Sequence, residues 1–163
     1  MNATIMEVGM LDIREAGQAV NAFRELLDRT PDAAAHVRVA PDAWTLAEIV
    51  GHLIDSAGNN HQRFVRLSFG SLEGFPGYEA EQWVRAQGYD RCDFRKLCAL
   101  WLGYNELLLH LAGTLPRDAM GNAWSGPEGP VTLGFLLEDY YRHLRLHTER
   151  YDARLREVLA GRR

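Results

Sequence analysis

The stretch from Thr132 to Ala160, TLGFLLEDYYRHLRLHTERYDARLREVLA, limits what this chain can fold into more than any other. Leu133, Leu136, Leu137, Tyr140, Leu144, Tyr151, Leu155 and Val158 recur at helical spacing, which predicts one long helix with a continuous apolar stripe. A helix of that kind draws its stability from other apolar faces that cover the stripe, so the rest of the chain has to supply them. The stripe also carries His143 and His147. Being four residues apart, they project from one face about one turn from each other, with Asp139 a further turn back along nearly the same line. Two imidazoles so placed either share one metal ion or sit at the edge of the core, satisfied by hydrogen bonds.

Three further segments have the matching character. From Leu11 to Arg29 the residues Ala16, Ala19, Val20, Phe23, Leu26 and Leu27 follow a helical period. Thr30-Pro31 ends it, because the residue before proline is pushed out of the α region. Thr45-Leu46-Ala47-Glu48 is a capping box, and it opens a second helix with Leu46, Val50, Leu53, Ala57 and Phe64 in its stripe, running to about Phe69 before Gly70. A third helix is expected from about Asp93 to Leu115, its stripe formed by Leu97, Leu100, Trp101, Tyr104, Leu108, Leu111 and Leu115. Thr132 N-caps the fourth. No stretch shows a strand alternation, an internal repeat or low complexity. Four amphipathic helices predict an all-α fold, a four-helix bundle with long loops after the second and third helices.

Neighbouring antiparallel helices need only about 2 to 8 residues between them, so Gly70 to Cys92 and Pro116 to Val131 are expected to be covers or crossovers. The first of these loops holds one candidate short helix, around Glu79 to Ala86. Phe75, Tyr78, Trp83 and Trp124 either wall a pocket at one end of the bundle or cap its core. At 163 residues and 47% hydrophobic content, the chain is sized for a single domain, residues 1–163.

The net charge of -4 and a pI of about 5.8, without any Lys/Arg run among aromatics, argue against a nucleic-acid partner. Cys92 and Cys98 form neither a Cys-x-x-Cys nor a disulfide framework, which suits a reducing compartment. The start, MNATIMEVGML, lacks the positive and apolar regions of a signal peptide, and no apolar run approaches the roughly 18 to 20 residues that span a bilayer. A cytoplasmic protein with no membrane association is expected.

The second helix carries a polar stripe beside its apolar one: His52, Ser56, Asn59 and Arg63, with Asp55 next to them. Such a stripe commonly marks the solvent side, yet this one begins with a histidine. Packing the second and fourth helices side by side would bring His52, His143 and His147 to one point. Three imidazoles with positions left for water describe a catalytic site rather than a structural one, and they suit zinc, nickel, iron or copper. Asp55 and Asp139 are each placed to accept a second imidazole N–H. Arg63, Arg150 and Arg154 are either anion-binding groups or ordinary surface arginines. His36, His61 and His110 have no partner at ligand spacing. Gly-x-Ser-x-Gly, phosphate-loop, dinucleotide-loop and His-Glu-x-x-His patterns are absent.

The joint pattern Trp44-Thr45-x3-Ile49-x2-His52-Leu53-x-Asp55-Ser56-x2-Asn59-x3-Arg63, a glycine- and proline-bearing loop, the Trp101 helix and a final helix with His143-x3-His147 resembles the DinB/YfiT-like family of metalloenzymes. The resemblance covers nearly the whole chain in order. It implies a four-helix bundle, often a homodimer, with one divalent metal held at the positions of His52, His143 and His147. It also implies a small-molecule substrate. Family members with assigned activities are transferases and isomerases using a low-molecular-weight thiol such as bacillithiol or mycothiol, and others are metal-dependent hydrolases. The segment Asp139-Tyr140-Tyr141-Arg142 departs from the Trp-His-Gly type of segment in the YfiT-like branch, so that branch's substrate does not carry over. The expectation is a metal-dependent transferase or hydrolase that activates a thiol or water. The rival is a non-catalytic metal-binding or dimerisation module of stress response. An enzyme should keep an open pocket at the histidines, whereas a module should fill it.

Overall fold

The computed structural model describes residues 11–161, and residues 1–10, in which no signal peptide is expected, lie outside them. Helix α1 (Ile13–Arg29) starts where the Asp12 carboxylate accepts from the amides of Arg14 at 2.8 Å and Glu15 at 3.2 Å. It ends at Thr30, extended ahead of Pro31. Helix α2 (Leu46–Leu67) opens with the full capping box: Thr45 N–H donates to Glu48 Oε2 at 2.7 Å, and Glu48 N–H donates to Thr45 Oγ1 at 3.2 Å. Helix α3 (Ala80–Gln87) is the short helix of the first long loop, stopped by Gly88 in the left-handed conformation at φ 59°. Helices α4 (Phe94–Thr114) and α5 (Leu133–Ala160) are capped by Asp93 and Thr132, which accept from the amides of Lys96 and Phe135.

Helix α2 packs against both α4 and α5, and α1 packs against the same two. The order around the bundle is therefore α1, α4, α2, α5. The connection from α1 to α2 and that from α4 to α5 each cross a diagonal, whereas the α3-containing loop joins neighbours. Trp101, Phe23 and Tyr151 are fully buried where α1, α4 and α5 meet, with Phe23 edge-on to Trp101 at 4.7 Å and to Tyr151 at 5.1 Å. Asn105, wholly buried, accepts from the Tyr140 hydroxyl at 2.7 Å and donates to the Trp101 carbonyl at 2.9 Å, tying α4 to α5.

Two features differ from the sequence reading. Leu100, assigned to the stripe of the third helix, is 54% exposed, because α4 is apolar on more than one side; of that stripe Leu97, Trp101 and Leu108 are buried, and Tyr104, Leu111 and Leu115 pack against the core partly exposed. The second long loop also contains a hairpin, β1 (Ala123–Gly126) with β2 (Gly129–Thr132). Each strand has four residues, and glycine and proline among them leave no alternation to detect. The hairpin is stitched to the first loop: Leu72 N–H donates to the Ala123 carbonyl at 2.9 Å and Ser125 N–H to the Leu72 carbonyl at 3.0 Å. The two loops thus form one cover. Tyr89 of that cover lies flat on Gly51 of α2, where a Cβ would come within 2.0 Å of its ring. Among the described residues, no helix is long and apolar enough to cross a membrane.

Candidate metal centre

His52 of α2 and His143 and His147 of α5 come together on the seam between the two helices. One ring nitrogen from each lies within 4.8 Å of those of the other two, and they are the one such group of possible metal ligands among the described residues. His52 Nε2 and His143 Nε2 are 3.3 Å apart. Ligands at the usual imidazole–zinc distance of about 2.05 Å in tetrahedral array are themselves about 3.3 Å apart, so the spacing of this pair matches shared coordination. The ring centroids of His147 are 4.7 Å from His52 and 4.4 Å from His143. The other ring nitrogen of His52, Nδ1, is buried without a partner.

Burial sets the charge state of these rings. Desolvation, with smaller contributions from His143 and Arg150, lowers His52 from 6.5 to about 4. Desolvation and then the neighbouring histidines lower His147 to about 3. His143 is lowered too by burial, against the opposing pull of Asp139. All three are neutral at pH 7, the form in which imidazole binds a metal.

A stability signature follows. Unfolded histidines bind protons below about pH 6.5 that the folded rings refuse, so stability is fully present above that pH and is lost as pH falls toward the folded values. The metal-free chain is expected to lose up to roughly 1.4 kcal/mol per pH unit for each such histidine. Urea midpoints at pH 7.5 and 5.5 check this, and equal midpoints would show that the rings are not buried as described.

The other polar residues of the sequence reading have separate surroundings. Asp55 Oδ1 accepts from the Tyr89 hydroxyl and from Gln87 Nε2, both at 2.6 Å, while its Oδ2 is buried without a partner. Burial raises the pKa of this carboxyl against those two hydrogen bonds. Asp139 pairs with Arg142. Among the described residues, neither carboxylate hydrogen-bonds a histidine. Asn59 donates back to the Asp55 carbonyl at 2.9 Å. Arg63 is 7% exposed, with its guanidinium 4.1 Å from the Trp124 ring and 5.9 Å from the Phe75 ring. Tyr89 and Gln87, the partners of Asp55, were not legible beforehand, since they reach it from the loop 32 or more residues away.

The histidines line two cavities. One, of about 620 Å³, is lined by His52 and His147 with Trp44, Ile49, Arg150 and Arg154. The other, of about 270 Å³, is lined by His143 with Ser56, Arg63, Tyr78, Trp124 and Asp139. Tyr78 and Trp124 thus wall the smaller cavity, while Phe75 and Trp83 line a third one on the Asp55 side of α2.

Fold and site together define a class: a four-helix bundle with crossed connections that presents three histidines on the seam of two adjacent helices. The family model of the DinB superfamily matches residues 16–150, and the chain belongs to that superfamily. No curated protein matches it in sequence. Among solved structures it is similar to YfiT from Bacillus subtilis, described as a probable metal-dependent hydrolase with an unusual four-helix bundle topology. The identity is 18% and the TM-score 0.70, over 97% of this chain and 90% of that one. It is also similar to a mycothiol-dependent maleylpyruvate isomerase, with 14% identity and a TM-score of 0.71 over 88% of this chain and 62% of that one. At such identities the likeness is one of fold.

Proposed function

We propose that this chain is a divalent-metal-dependent enzyme acting on a small molecule, in which His52, His143 and His147 hold the ion and a thiol or water attacks an electrophilic centre. The observation that carries this reading is the convergence of three imidazoles that line cavities rather than packed core, His52 and His147 on one and His143 on another. A module that only bound metal or dimerised would have filled that space with side chains. Three protein ligands also leave coordination positions for reactants, whereas structural zinc sites are normally closed by four. The fold shared with a protein described as a probable metal-dependent hydrolase and with a mycothiol-dependent isomerase supports the same reading.

When bound, a divalent ion supplies Lewis acidity that draws the pKa of a coordinated thiol or water toward neutrality. The protein's residues do the rest. Burial holds the three rings in their ligating form, and the Trp44 ring, 5.0 Å from His52, backs that imidazole. Arg154 donates to the Trp44 carbonyl and to Glu157 Oε2, fixing the rim of the larger cavity. Arg150 gives that cavity one cation outside any ion pair among the described residues, beside the carboxylates of Asp42, Glu81 and Glu157, which suits a thiol carrying both polar and charged groups, and the smaller cavity is left for the electrophile.

The test is turnover by untagged protein loaded with zinc, nickel or iron, offered low-molecular-weight thiols with a panel of electrophiles, and esters or amides without thiol. Turnover is expected only with metal, stopping on chelation and returning on re-addition. Rates indifferent to chelation, or no stoichiometric uptake of any of the three ions, would sink the proposal.

A further inference from the structure

Arg63 is the most deeply buried arginine charge in the described structure without a counter-charge. It is 7% exposed, its Nε is buried with no acceptor, and it takes part in no ion pair or side-chain hydrogen bond among the described residues. A guanidinium stays protonated under all ordinary conditions, and burying one without an anionic partner is unfavourable. The rings of Trp124 and Phe75 orient it through cation–π contacts but bring no negative charge. Trp124 is itself pinned, its indole N–H donating to the Phe75 carbonyl at 2.9 Å, so the β-hairpin serves as a shelf for this one side chain.

The placement gives the charge a purpose. Arg63 shares the smaller cavity with His143, and that cavity follows the α2–α5 seam from His143 back to Phe135, eight residues and about 12 Å of helix axis. Other polar groups along it are Ser56, Asn60 and Tyr78. The one carboxylate in the lining, Asp139, is turned to Arg142 instead. A volume of about 270 Å³ is small for a ligand site and admits a compact molecule.

We infer that Arg63 binds the carboxylate of the electrophilic substrate, in the cavity that leads to His143. This inference rests on the enzyme reading above and narrows its substrate class to small monocarboxylates. The guanidinium fork matches a carboxylate with two parallel N–H bonds, and the single cation matches a single negative charge. The anion then completes Arg63, and the rest of the molecule extends along the same cavity toward His143.

Calorimetric titration with crotonate and with its uncharged isostere crotonamide tests this without any turnover, on the chain as purified and after metal removal. Crotonate is expected to bind in both forms at least about tenfold tighter than crotonamide. Arg63→Gln should erase that preference while leaving crotonamide unchanged, and Arg63→Lys should restore only part of it, since lysine lacks the fork. Equal affinities for the two ligands in the native chain would overturn the inference, even if the variants fail to fold. So would crotonate binding that disappears with the metal, which would assign the carboxylate to the ion, or inorganic sulfate binding more tightly than crotonate. Because the metal-free chain is included, failure of the metal reading and failure of the Arg63 reading give different results.

Discussion

In His147→Ala, bound divalent metal is expected to fall from about one ion per chain to a small fraction of that, with an affinity loss beyond the roughly 10–100-fold typical of a group that only supports a ligand. His147 is 6% exposed, its ring centroid 4.7 Å from that of His52 and 4.4 Å from that of His143, and no other candidate ligand among the described residues joins this group to replace it. Helix content should be unchanged, because Leu144, Tyr151 and Leu155 keep the apolar stripe of α5 intact. The same variant carries a second signature. With a ring lowered to about 3 removed, the metal-free chain loses less stability between pH 7.5 and 5.5 than the native chain does. Metal analysis of untagged protein and circular dichroism decide the matter. Full metal content in His147→Ala would rule out the three-histidine site, and a collapse of helicity would mean that His147 holds the fold rather than an ion.

Trp101→Ala is expected to be the most damaging single change to the fold, and to leave the metal chemistry alone while the chain stays folded. Trp101 heads the fully buried side chains by volume. It fills the space between α1 and α4 against Phe23. Truncating a buried tryptophan to alanine costs about 3–5 kcal/mol, against a total stability of about 5–15 kcal/mol for a domain. For a chain of this size that lowers Tm by about 6–20 °C. Its indole N–H has no partner among the described residues, so no hydrogen bond is lost with the ring and the cost is one of packing. Thermal unfolding with and without metal checks this. A shift of less than about 1 kcal/mol would show the centre of the bundle to be elsewhere, and loss of metal from the folded variant would couple Trp101 to a site it does not touch.

Much of the helical framework is written in short-range chemistry. The Thr45–Glu48 box, the Thr132 cap and the stop at Thr30-Pro31 each depend on residues within one turn, and each is found where the sequence placed it. Helix α3 lies within a residue of its expected bounds. The residues assigned to the stripes of α2 and α5 are buried throughout, although α5 also leaves Phe135, Leu146 and Leu159 exposed outside its stripe. On α4 the apolar residues run further round, so periodicity could not tell Leu100, exposed, from Trp101, buried. The hairpin escaped because its strands are held by Leu72 from another loop, not by an alternation of their own.

The sequence by itself determined which residues are helical, which faces seek the core, and that His52, His143 and His147 stand at the edges of those faces. Only the tertiary structure decided that the three rings meet. In a simple up-and-down bundle the helices follow one another around the ring, and the second and fourth would lie on a diagonal, with their edges facing different neighbours. Here the connections between α1 and α2 and between α4 and α5 cross the bundle, making α2 and α5 adjacent. Local spacing cannot encode that choice, since each stripe would be covered in either ring order. It depends on how whole faces fit and where the long loops can pack, as in the seating of Tyr89 on Gly51, of Trp124 under Arg63, and of Leu72 along the hairpin's first strand.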